Sequence, residues 1–360
     1  MNSKQLGMGS NFEHFFREKN MKKELEIARQ QVNWARYQPG QAAGHYESFF
    51  QRANHPSRPM AFWIRYTIFS PQNHPENAVG ELWGIYFDGD TGHHVALRKE
   101  IPFKECVFKT DEFFVKVGDS ILDPGGLRGS IASREHSISW DLAFSGEADP
   151  LFLLSLKSYK RKLPKAKALV GMPMAKYNGG ISVNGKRIEV ADWIGSQNHN
   201  WGSKHTDHYA WGQVAGFDNH PLSFLEVATA RLKIGPFWTP FMTVLVLRHR
   251  GEEIALNHLT QAIRAKASIK YFNWNFRSET NKISLEGEIS ASQEAFVGLR
   301  YNNPPGGSKY CLNTKIASCE LKITHKQFGP SDRIEILSSK HRAAFEILTD
   351  DPQHSVTIRN

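Results

Sequence analysis

The segment Ala191–Gln213, ADWIGSQNHNWGSKHTDHYAWGQ, holds three histidines, three tryptophans, one tyrosine and two aspartates within 23 residues. Such side chains move protons, ligate metals or stack on a substrate. Strand alternation puts His205, Asp207, Tyr209 and Trp211 on one face and His208 on the other. His199 and Trp201 share a face by the same rule. His199, His205, Asp207 and His208 are all competent metal ligands. An extended run, however, points His208 away from His205 and Asp207, and no nearby cysteine or HExxH helix completes a site. No metal is therefore expected. The competing reading is a polar network in which Asp207 orients a histidine and the tryptophan rings pack between domains.

Other chemistries lack their motifs. There is no GxSxG elbow and no phosphate-binding GKS or GKT loop. Gly-x-Gly-x-x-Gly after a strand is absent, which argues against a dinucleotide-binding domain. No cofactor is expected. Cys106, Cys311 and Cys319 form no CxxC pair, and three cysteines cannot build a dense disulfide framework. Cys311 reads as a small buried apolar residue.

The elements that must position these residues are mostly strands. Aromatics make up 12% of the 360 residues, interspersed with 28 Gly and 17 Pro. That is the composition of short pleated strands joined by tight turns. Gly44–Arg52 and Met60–Ser70 flank a turn-rich piece and read as a hairpin. So do the segments around Asn184-Gly185, because both turn positions need positive φ. Tyr209–Phe217, Leu222–Leu232 and Phe241–His249 continue the pattern. Residues 12–36 are the best helix candidate, and Arg333–Ser338 also invites a helix. The length predicts about two domains.

Met60–Ser70 is apolar on both faces, so one face must meet a lumen or another domain. Arg65 on that strand then needs a partner, since an unpaired buried charge is costly. A hairpin loop centred near residue 56 sets Glu47 opposite Arg65. We expect these two to pair, facing a lumen.

The formal charge of +9 is densest in Leu156–Lys167, LKSYKRKLPKAK. No zinc-finger, helix-turn-helix or RNA-recognition signature accompanies it, so no nucleic-acid partner is expected. The run reads as a solvated connector, with membrane contact left open. Residues 1–25 lack the apolar stretch of a secretory signal, and no apolar run approaches the ~20 residues of a membrane helix. A cytoplasmic protein is the simplest expectation.

GSQNHNWGSKHTDHYAWGQ, preceded by NGGISVNGKRIEVADW, resembles the lipocalin-like two-barrel superfamily. That superfamily includes carotenoid 1,2-hydratases, hydroxyneurosporene-synthase-like proteins, tocopherol cyclases and fungal Diels–Alderases. GHYESFF near Glu47, ISWDLAF around Trp140 and YNNPPGGSKYCLNTKIA extend the resemblance over roughly residues 40–325. It implies an all-β fold of two consecutive lipocalin-like (calycin-type) antiparallel β-barrels, which would follow the N-terminal helical arm read from residues 12–36. The arm would span 1–38, the first barrel 39–198 and the second barrel 199–360. A ligand cavity in or between the barrels, and no cofactor, are implied as well.

The carotenoid hydratases carry a His-x-Trp pair and, downstream, a Tyr-x-Asp pair whose carboxyl protonates a double bond. His199-x-Trp201 matches the first pair. Phe224-x-Glu226 is the counterpart of the second, with Phe for Tyr and Glu for Asp. Asp207, with Tyr209 two residues on, is the rival acid. The resemblance implies a cofactor-independent hydratase, cyclase or isomerase acting by acid catalysis on an apolar polyene, isoprenoid or polyketide. Glu226, Asp207 and His199 would carry catalysis. Trp201, Tyr209, Trp211, Phe224, Glu47 and Arg65 would bind the ligand. The alternative is a non-catalytic intracellular carrier of a lipid-like ligand.

Overall fold

The computed structural model describes residues 22–326 and 332–359. Strands from His45–Asn54 to Lys186–Gly202 pair into a twelve-stranded antiparallel sheet. Those from His208–Ala215 to Arg333–Thr349 pair into a ten-stranded one. Each sheet curls back on itself. The strand Val95–Pro102 returns against Gly126–Ala132, and Lys266–Lys270 returns against Met242–His249. The result is two consecutive antiparallel barrels. Of the helix candidate 12–36, residues 22–30 are helical, and the part before residue 22 lies outside the described residues. Among the described residues no helix is long and apolar enough to cross a membrane.

Three apolar layers hold the barrels. Phe49, Phe62, Tyr66, Trp140 and Tyr177 fill the first lumen. Trp274, Phe276 and Phe345 fill the second. Between the barrels, Trp63, Trp83 and Phe87 pack against Val297, Leu299 and Tyr301. This explains the two-faced strand Met60–Ser70. Its Phe62, Ile64 and Tyr66 point into the lumen, while Ala61 and Trp63 meet the other barrel. Each large side chain so removed from water contributes on the order of 2–3 kcal/mol.

The Asn-Gly turn is as expected: Asn184 and Gly185 take φ of 51° and 80° between Ala166–Val183 and Lys186–Gly202. Two local expectations are corrected. Arg333–Ser338 is not helical but opens the strand Arg333–Thr349, paired along its length with Ser308–His325. A six-residue stretch has little helical preference of its own, and the long-range ladder decides. The basic run is not a plain connector either, because it begins with the short helix Leu156–Lys160 and ends in Ala166–Val183.

The Glu47–Arg65 pair is also overturned. In the first hairpin Glu47 lies opposite Ile68, and Arg65 lies opposite Phe50. The expected register is off by an odd number of residues, and an odd slip moves a side chain to the other face. Glu47 points to the lumen side and Arg65 to the second barrel.

Candidate functional site

The hairpin of His208–Ala215 and Phe224–Arg231 sets Gln213 opposite Glu226 and Trp211 opposite Ala228. Ala210, Val214, Leu225 and Val227 go into the second lumen. Alternation therefore turns Tyr209, Trp211, Gln213 and Glu226 toward the first barrel. That barrel answers with Arg52, Ser196 and Asn198. Its two strands come close there because Gly195 has no side chain: a Cβ would stand 1.8 Å from the Arg52 carbonyl oxygen.

Glu226 is 2% exposed. Trp211 donates its indole N–H to Glu226 Oε1, and Gln213 donates its amide N–H to Oε2, each at 2.7 Å. Gln213 also donates to Asn198 Oδ1 at 2.8 Å. Its own Oε1 accepts from Ser196 Oγ and Arg52 Nε, each at 2.6 Å. The amide is thus locked in one orientation. Burial pushes the Glu226 carboxyl up, the Trp211 and Gln213 donors and the Arg52 charge pull it back, and it settles at about 7. Such a group still holds its proton in a large share of molecules at neutral pH and can give it away.

Cations crowd the same seam. Lys315 Nζ bonds Glu346 Oε1 at 2.8 Å and Asn313 Oδ1 at 2.6 Å. It also lies 5.4 Å from the Trp211 ring and 5.6 Å from the Trp63 ring. The Arg65 guanidinium sits 4.6 Å from the Tyr301 ring and donates to Ser48 Oγ. Burial lowers the Lys315 pKa, and the Glu346 carboxylate opposes that shift.

Next to Glu226 the seam has an apolar wall. Met174 and Ile194 of the first barrel and Ala228 and Val244 of the second are half-buried around Leu153, Val170, Phe224 and Val246. Trp211 is half-buried too. Asn200 Oδ1 is a buried acceptor without a hydrogen-bond partner among the described residues. Asn200, Asn198 and Ser196 share one face of their strand.

Glu47 and His199 lie on the opposite face. His199 Nδ1 donates to the Val32 carbonyl at 2.5 Å, and its Nε2 donates to Glu47 Oε1 at 2.7 Å. His45 Nε2 donates to Glu47 Oε2 at 3.0 Å, and the backbone N–H groups of Arg36 and Tyr37 donate to the same carboxylate. Burial works against this charge, but His199 and His45 outweigh it and hold Glu47 at about 2. The cluster clasps the chain at residues 32–37 to the first barrel. Trp201 belongs to it, packed with Val32 and Leu169 and 4.7 Å from the His199 ring.

The structure thus gathers Glu226, Trp211, Tyr209, Phe224 and Arg65 at the seam, and Glu47, His199 and Trp201 at the clasp. Asp207 joins neither. Its carboxylate accepts from Lys204 Nζ at 2.6 Å and from the Lys233 backbone N–H at 3.0 Å. Burial raises its pKa, yet these two donors leave it lowered overall, which makes it a poor proton donor. Gln213, Asn198, Arg52, Lys315 and Glu346 escaped the sequence reading. Gln213 had a usable signal, since it continues the Tyr209-Trp211 alternation. The others come from strands far apart in the chain.

The comparisons with known proteins agree with this architecture. A profile of the family described as tocopherol cyclase-like matches residues 158–347. An uncharacterized protein of Mycobacterium tuberculosis, found in two strains, is 21% identical over 287 residues, covering 78% of this chain and 82% of the relative. The crystal structure of an AttH protein from Nitrosomonas europaea aligns with a TM-score of 0.51 at 15% identity, over 88% of this chain and 98% of that one. That similarity extends to the fold. Kievitone hydratase from Nectria haematococca aligns with a TM-score of 0.49 at 10% identity, over 87% of this chain and 91% of its own.

Proposed function

The chain belongs to the tocopherol cyclase-like family, and from that premise we propose that it is a hydratase- or cyclase-type enzyme in which Glu226 protonates a carbon–carbon double bond of an apolar substrate. The observation that carries this reading is the Glu226 carboxyl, held near neutrality beside an apolar wall that both barrels share. The substrate, a polyene, isoprenoid or polyketide, lies against Met174, Ile194, Ala228 and Val244, with Trp211 at its reacting end.

The Glu226 O–H bond breaks and its proton forms a C–H bond on the alkene. The π pair leaves a carbocation on the neighbouring carbon. The carboxylate left behind is stabilised by Trp211, Gln213 and the Arg52 charge, so these donors bind more strongly after the transfer than before it. Water attacks the cation and returns a proton to Glu226, giving net hydration. A hydroxyl of the substrate itself would attack in the same way and close a ring. General acid catalysis of this kind contributes about 10²–10⁴ in rate. No cofactor takes part.

A carrier of lipid-like ligands needs only apolar lining and has no use for a buried carboxyl near neutrality. The test is a panel of apolar alkenes incubated with the protein in D2O and read by mass spectrometry. The account predicts a product carrying one new carbon-bound deuterium, either hydrated or an isomer of the substrate, and its loss in Glu226→Gln. Conversion that persists unchanged in Glu226→Gln would rule the mechanism out.

A further inference from the structure

Just before the start of the Glu226 strand, the turn 217–223 brings His220 beside His249 and Glu335. The Nε2 atoms of both imidazoles lie 3.2 Å from the same oxygen, Glu335 Oε1. All three atoms fall within 4.8 Å of one another. The rings meet edge to face with centroids 5.0 Å apart.

The surroundings hold this arrangement in place. Phe217 and His220 exchange backbone hydrogen bonds and close the turn. Asp218 donates its N–H to the Ser338 carbonyl, and the Asn219 side chain bonds the backbone of Ile336 and Ser338. The turn is therefore laced to the strand that carries Glu335. His249 ends the strand Met242–His249. Ser223 Oγ lies 2.7 Å from its Nδ1 and orients the ring with Nε2 toward Glu335. With Ser223 accepting the Nδ1 proton, Nε2 presents a lone pair, the usual way a neighbour prepares a histidine ligand.

A lone pair and a carboxylate oxygen at that distance repel unless a cation lies between them. Zinc bonds of about 2.0–2.1 Å in a tetrahedron separate the ligand atoms by about 3.3 Å. The two histidine–Glu335 separations of 3.2 Å match such edges, and the two histidine nitrogens lie within 4.8 Å of each other. Glu335 Oε2 is buried without a hydrogen-bond partner among the described residues, with Arg333 3.9 Å away. Arg250 supplies positive charge here, with Nη2 2.7 Å from Glu335 Oε1 and Nε 3.1 Å from His249 Nε2. Its side chain is 57% exposed and free to swing into water.

We propose that His220, His249 and Glu335 form a binding site for a divalent transition metal of the zinc type, with Arg250 as the competing cation. Two imidazoles and one carboxylate leave a fourth position for water. The ion would staple the turn joining His208–Ala215 to Phe224–Arg231, the hairpin that presents Gln213 and Glu226. The site stands apart from the Glu226 chemistry and does not depend on it.

The test uses untagged full-length protein stripped with a chelator and titrated with Zn²⁺ alone by calorimetry. Co²⁺ absorption then reads the coordination geometry. One ion per chain is expected, with the intense visible band of tetrahedral cobalt. His220→Ala and Glu335→Gln should each weaken binding by at least about tenfold, with circular dichroism confirming the fold. Arg250→Ala, on an exposed side chain, should tighten it. Absent or non-stoichiometric binding in the native chain would overturn the proposal. So would an affinity that none of the three substitutions changes.

Discussion

Trp211 and Glu226 face the same seam from neighbouring strands of one hairpin, and the indole N–H donates to the carboxyl at 2.7 Å. That bond has two consequences. It lowers a pKa that burial alone would drive higher, and it stabilises the carboxylate once the proton has gone. The indole thus tunes the acid and receives its charge.

Trp211→Phe removes the donor and keeps most of the ring. A hydrogen bond to a charged group is worth about 1.5–3 kcal/mol, so the Glu226 pKa should rise by about one unit or more. The acid acts in its protonated form, so activity falls as pH rises through about 7. In Trp211→Phe the descending limb of the pH–rate profile should move to higher pH, with a lower maximum rate. A limb that stays in place would show that Trp211 does not tune the acid.

Glu226 should also cost stability in alkaline solution. Its folded pKa of about 7 lies above the ordinary 4.5. As pH rises through that window the unfolded chain releases a proton that the native state keeps, so stability falls. Glu226→Gln removes the penalty. Urea denaturation should find the variant more stable than the native chain at pH 8, by up to about 3 kcal/mol, with the advantage absent at pH 4. The same substitution abolishes activity, the trade expected of a catalytic group.

Glu47 behaves in the opposite sense. Its folded pKa of about 2 lies below the ordinary 4.5. The stability it contributes is present above pH 4.5 and lost as pH falls toward 2. His199→Ala breaks the clasp and should destabilise the native chain by about 3–5 kcal/mol. Hydrogen exchange should quicken at the Arg36 and Tyr37 amides, while the pH of the catalytic limb stays unchanged. A shifted limb would return His199 to the catalytic site.

Lys315 and Glu346 are buried together, with the ammonium 2.8 Å from the carboxylate. Lys315→Met leaves Glu346 uncompensated and should cost about 3–5 kcal/mol. Adding Glu346→Leu should recover most of that loss, because a well-packed apolar pair can replace a buried ion pair. Denaturation of the two single variants and the double measures the coupling. Independent, additive losses would mean the pair contributes no mutual stabilisation.

The site was only partly legible in the sequence. Alternation found the face shared by Tyr209 and Trp211, and the resemblance pointed to Glu226 two residues beyond Phe224. The paired, two-faced strands were legible because apolar residues on both sides need two partners. Register was not: the loop of the first hairpin is centred differently from the expectation, and the slip sent Glu47 and Arg65 to opposite faces. His199 looked like the partner of a catalytic pair because its other contact, the Val32 carbonyl, carries no side-chain signal. Lys315 and Glu346, and likewise His220, His249 and Glu335, come together from distant strands and a turn, which no local spacing reveals.

The central claim is that Glu226 is a protonated acid near neutral pH, and infrared difference spectroscopy can test it without a substrate. The native chain should show a protonated-carboxyl C=O band that disappears with a midpoint at about 7 and is missing in Glu226→Gln. A Glu226 band already gone by pH 5 would contradict the account.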